Sequence, residues 1–237
     1  MNTSTTGRSR HRPAVLLLVV ALVSAAFAWS LPRATADAGP APATALHDAH
    51  GRDAGPRTPA QAALHDQMRK LWEDHVTWTR LAIVTFADGS AGFPASAGRL
   101  LSNQSDLGNA IKPYFGEAAG AHLTGLLHEH ITIAVEILQA ARAGNGTALN
   151  DARTRWYANA DAIADFLSWA NPRFWSQQAL RADMRTHLDQ TLAEADAELR
   201  GDYPAGVADY DAVHAHILVM ADLLTDGIVA RFPSRFR

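Results

Sequence analysis

The stretch Asp209-Tyr-Asp-Ala-Val-His-Ala-His-Ile-Leu-Val-Met-Ala-Asp-Leu-Leu224 decides how the chain is read. With its flanks it places Val207, Tyr210, Ile217, Ala221, Leu224 and Ile228 at helical spacing, the signature of a helix with one buried face. His214 falls on that stripe, and Asp211 lies one turn before it on the same face. A titratable pair is therefore expected to point into a core. His216, two residues from His214, projects about 200° away and is expected to be partly exposed.

The same periodicity recurs upstream. A first helix is expected from Thr58 to about Ala87, with Thr58 as cap, Pro59 at its first position and Gln61 completing a capping box. A second runs from Pro94 to Lys112, ended by Pro113 and Gly116, and a third from Glu117 to Ala143. A fourth covers about Thr147 to Ala170, a fifth Ser176 to Arg200, and the sixth begins near Ala205 and reaches about Arg231. No segment alternates with period two over strand length. Short connections make neighbours antiparallel, so the fold class is all-α: an up-and-down helical bundle of about six helices, four long and two shorter.

Ahead of the bundle, Arg8, Arg10 and Arg12 precede an apolar run from Ala14 to Leu31, followed by Pro32 and Ala34-Thr35-Ala36. This is the layout of a secretory signal, residues 1–36, with cleavage after Ala36. An uncleaved membrane anchor fits the same pattern, because about 18 apolar residues span a bilayer. Either way the body is expected outside the cytoplasm: extracellular, periplasmic or at the cell surface. Residues 37–57, rich in Ala, Gly, Pro and Asp, read as a linker. The bundle domain is 58–237.

The formal charge of the 237 residues is −3, but residues 1–36 hold four arginines and no acid, leaving 17 basic against 24 acidic residues and a body charge of −7. An acidic body argues against nucleic acid or anionic lipid as main partner, and confines membrane contact to the N-terminal segment. The chain has no cysteine, which excludes disulfides, thiolate metal sites and cysteine nucleophiles. Catalytic motifs are absent from the sequence: it has no Gly-rich phosphate loop, no Gly-x-Ser-x-Gly elbow and no His-Glu-x-x-His.

Chemistry is left to histidine and carboxylate. Four helices each carry one histidine at or beside the apolar stripe, His75, His130, His187 and His214. At about 1.5 Å per residue the first three lie some 16 to 24 Å above the starts of helices running the same way, and His214 comes out at similar height. Imidazoles projecting inward from facing helices are how bundles bind zinc, copper or iron, and Asp211 is the expected carboxylate ligand or orienting partner. A small ligand could occupy the same place. The alternative is that each histidine bonds to a neighbouring helix, which makes the domain a structural or interaction module of the cell envelope. Asp183, Glu194 and His187 share one face, Asn159 is expected to bond across the core, and Asn103, Asp106 and Asn109 read as a solvated face. The tryptophans at 72, 78, 156, 169 and 175 are expected to pack.

The segments Trp72–Arg80, Asn109–Gly116, Trp156–Asp161 and Tyr210–Ile217 resemble an uncharacterised family of bacterial helical proteins over roughly residues 62–237. The resemblance implies a helical bundle and supplies no site residues. Some members carry the labels acetylglutamate kinase or glycosyltransferase. Both are α/β enzyme classes, whose strands and nucleotide loops this sequence lacks.

Overall fold

The computed structural model describes residues 58–237. The signal or anchor segment, the linker and its His47 and His50 lie outside the described residues. Six helices follow one another: α1 Pro59–Ala87, α2 Phe93–Phe115, α3 Glu117–Arg142, α4 Gly146–Ala170, α5 Gln177–Leu199 and α6 Tyr203–Arg231, then a 3₁₀ turn Pro233–Phe236. Each packs against the next, and α6 returns against α1, which closes an antiparallel ring. The helices span 23 to 29 residues; the fifth, at 23, is no longer than the second.

Local chemistry sets the ends. Thr58 and Gln61 form both bonds of the capping box, and Asn145, Ser176 and Asp202 cap α4, α5 and α6. The sixth helix starts at Tyr203, earlier than expected, because Asp202 caps it and Pro204 fits its first turn. Pro113 does not stop α2. It lies in the last turn, and the chain stays helical to Phe115, where Gly116 N–H closes on Lys112 O. Gly116, at φ 88°, then reverses the chain in one residue. Just inside this corner α2 and α3 cross closely: a Cβ on Gly108 would stand 2.6 Å from Gly120 O and 2.0 Å from Thr124 Oγ1.

The core is a continuous apolar column of Leu64, Met68, Trp72, Leu107, Leu123, Ile163, Leu180, Leu188, Ile217, Leu224 and Ile228, among others. Helix α6 is long and apolar enough to cross a membrane by length and composition, but Val213, Ile217, Met220, Leu224 and Ile228 bury that apolar face in the bundle. Helix α5 is the exception to an apolar interior. Asp183, His187, Thr191, Glu194 and Glu198 all lie buried along it, so its inner face turns polar from mid-height upward.

Candidate functional site

Three of the four expected histidines meet. His75 on α1, His130 on α3 and His187 on α5 are 3%, 2% and 3% exposed. The His187 ring centroid lies 5.7 Å from that of His75 and 6.4 Å from that of His130. They border one cavity of about 50 Å³, completed by apolar groups such as Ile83, Leu100, Ile137 and Leu138 and by Trp156. By volume that is room for a few water-sized atoms.

Two rings are held by amide side chains. Asn159 Nδ2 donates to Leu126 O at 3.1 Å and to Glu129 Oε2 at 3.3 Å, which turns its Oδ1 toward His130. His130 Nδ1–H donates to that oxygen at 2.9 Å, leaving Nε2 as the lone-pair nitrogen. Trp156 Nε1 fixes the same turn of α3 by donating to His130 O at 3.0 Å, and its ring lies 5.0 Å from the imidazole. Gln104 Nε2 donates to Leu100 O at 2.8 Å and shares its second hydrogen between Asn103 Oδ1 and His75 Nδ1, each at 3.2 Å, an arrangement that favours the His75 proton on Nε2. Gln104 Oε1 and His187 Nδ1 are buried without a hydrogen-bond partner.

Burial keeps all three rings neutral. It lowers His75 to about 3, helped by the nearby His130, and lowers His130 to about 4. His187 falls well below the usual imidazole range, first by burial and then by the opposing charges of His75, His130 and His216. The cluster therefore offers uncharged nitrogen at ordinary pH. As placed, no three His, Asp or Glu side chains among the described residues form a group that could hold a metal ion.

His214 is not in the cluster, which corrects its expected inward position. The expected stripe holds from Ile217 through Ala221 and Leu224 to Ile228, all buried, but toward the start of α6 the buried position is Val213 in place of His214, Tyr210 is half-buried and Val207 is 52% exposed. His214 therefore sits at the rim facing α1, where it bonds Glu73 Oε1 at 3.2 Å. Asp211 is exposed and cannot serve as ligand or orienting carboxylate for these imidazoles. His216 takes the opposite rim, where its Nε2–H donates to Asp183 O at 3.0 Å, close enough to oppose a charge on His187.

Asn103 departs from the solvated reading: it is fully buried, and its Nδ2 donates to Leu71 O at 3.0 Å, while Asp106 and Asn109 are exposed. Above the cluster is a feature the sequence reading missed. Arg80 Nη1 contacts Glu194 Oε1 at 3.1 Å and Gly206 O at 3.0 Å, and its Nη2 reaches Glu198 Oε1 at 2.8 Å. Two buried carboxylates thus share one guanidinium, and burial raises Glu194 to about 7 against the pull of Arg80. The i, i+4 spacing of Glu194 and Glu198, two and three turns beyond His187 on the same face of α5, was the available signal.

Comparison with protein-family models, with curated proteins and with solved structures finds no match to this chain. The class is thus defined by its own geometry: a closed ring of six antiparallel helices with three neutral imidazoles beside a partly open cavity.

Proposed function

We propose that this is an exported bundle protein that binds a transition metal ion through His75, His130 and His187. The observation that carries the reading is His187, a fully buried imidazole with Nδ1 unpartnered, facing two neutral imidazoles across a cavity. A buried polar nitrogen without a partner is costly, and a ligand shared with its neighbours removes that cost. A three-imidazole site with metal–nitrogen bonds of about 2 Å puts ring centroids roughly 5 to 5.5 Å apart. The His187 ring stands 5.7 Å from that of His75 and 6.4 Å from that of His130, so binding requires the rings to move inward. The Asn159 bond leaves Nε2 of His130 as its lone-pair nitrogen. For His75 to offer Nε2 its proton must move to Nδ1 and Gln104 must turn its Oε1 to accept it, giving up the bonds that its Nε2 makes to Leu100 O and Asn103 Oδ1, a cost that metal binding has to offset.

Zinc, copper and iron all accept imidazole. The cost of burying an ion grows steeply with its charge, and these three ligands are neutral in an otherwise apolar cavity, so monovalent copper is the preferred occupant. The purified chain, loaded separately with Cu⁺ under reducing conditions and with Zn²⁺ and then dialysed, should retain about one copper per chain. The His130→Ala, His187→Ala double variant should retain none. Absence of retention by the wild type would contradict the proposal.

A second reading is favoured by the bonds that His130 and His75 already make to Asn159 and Gln104. Here the domain is a structural or interaction module of the cell envelope, its histidines buried hydrogen-bond partners. The same substitutions then lower the melting temperature of a protein that holds no metal.

A further inference from the structure

We infer that one pole of the bundle seats on an anionic lipid surface. This pole gathers the start of α1, the α2–α3 corner, the α4–α5 connection and the end of α6. Trp169, expected to pack, is 76% exposed here, with Phe174 at 39%. Three arginines around them lack a carboxylate partner. So do Arg142 at the opposite pole, which bonds Phe86 O, and Arg153 on α4, but among the described residues only here do three such arginines gather beside exposed rings. Arg69, Arg99, Arg155, Arg181 and Arg185 are each paired with a carboxylate. Among the described residues Arg173, Arg231 and Arg235 have no such pair and lie instead over Phe174, Phe232 and Tyr114 at 5.4, 5.4 and 5.6 Å.

Aromatic rings at the rim of an unpaired cationic surface suit the headgroup level of a bilayer, where rings enter the interface and guanidinium groups meet phosphate. A patch of unpaired cations on an acidic body is an oriented charge, so the net charge of −7 does not argue against anionic lipid at this end. The direction of the chain agrees. Thr58 Oγ1 donates to Phe236 O at 2.8 Å, which places the start of α1 at this same pole, with 26 residues between Thr58 and the apolar run Ala14–Leu31.

The test uses the full chain and the Trp169→Phe variant with phosphatidylcholine vesicles whose acyl chains carry bromine, with and without phosphatidylglycerol. The difference between the two proteins isolates the Trp169 emission, whether or not the N-terminal run inserts. That emission should be quenched severalfold more on the anionic vesicles, and the excess should vanish at high salt. The Arg173→Gln, Arg231→Gln, Arg235→Gln variant should lose it, since three surface arginines are worth on the order of a hundredfold in affinity for an anionic bilayer. The Arg153→Gln, Arg155→Gln, Arg200→Gln control, equal in number and away from this pole, should keep it. Equal quenching on both vesicles overturns the inference. So does Trp169 shielded without vesicles in a protein that migrates as a dimer, because the pole then covers a second copy.

Discussion

The rings of His75 on α1 and His187 on α5 stand 5.7 Å apart, both buried, and a charge on either opposes a charge on the other. With His130 they bind protons in the unfolded chain near the usual imidazole pKa but resist them when folded. A lowered folded pKa means that the unfolded state holds more protons between the two values, so stability rises with pH from about 4 to about 6.5. Melting temperatures measured across this range should climb. Replacing His187 by Met should flatten the climb, and an unchanged slope would count against a neutral buried cluster.

Glu194 has the opposite sign. Its carboxyl is raised to about 7, so its contribution is complete below the unfolded value of 4.5 and is lost as pH rises through about 7. Glu194→Gln should gain stability over wild type at about pH 8 relative to about pH 5, by on the order of 2 to 3 kcal/mol. Arg80→Met should lose about 3 to 5 kcal/mol at the higher pH, because it leaves Glu194 and Glu198 buried without their cation. Urea unfolding at the two pH values reads both.

The α2–α3 crossing depends on the absence of a side chain at Gly108. A methyl group there meets the backbone oxygen of Gly120 at 2.6 Å, and backbone cannot turn aside as a side chain does. Gly108→Ala should cost about 3 kcal/mol or more. Gly125, within α3 and with nothing within 4 Å of its Cβ position, should gain about 0.5 to 1 kcal/mol on the same change. Thermal unfolding of the two variants should move in opposite directions.

Asn159 is a positioning residue for His130. Asn159→Leu removes the acceptor that keeps the proton on Nδ1, and copper affinity should fall about 10- to 100-fold. Asn159→Asp restores an acceptor and should restore affinity. The emission of Trp156, 5.0 Å from the His130 ring, reports binding in both variants, and equal loss in both would reduce Asn159 to a packing role.

The all-α ring was legible because each helix carries its own stop and start: Thr58 with Gln61, Gly116, Ser176, and the apolar spacing from Leu180 to Leu188. Convergence of His75, His130 and His187 was legible from stripe and height alone. His214 was misplaced because Val213 and His214 both lie within one step of an ideal stripe through Ile217, and only packing against α5 and α1 chooses between them. The Arg80 pair and buried Asn103 were hidden for a related reason. A polar residue on an inner face looks like a break in the pattern until its partner, here Glu194 or Leu71 O, is known from another helix. The charged pole needed tertiary structure, since Arg173, Arg231 and Arg235 are dispersed in sequence.

X-ray absorption at the copper edge of the loaded protein tests the metal-binding account most directly. Three imidazole nitrogens at about 2 Å, with the outer-ring scattering of three histidines, are expected, falling to two in His187→Met. Bound copper with fewer than three imidazoles in the wild type, or an environment that His187→Met leaves unchanged, would contradict it.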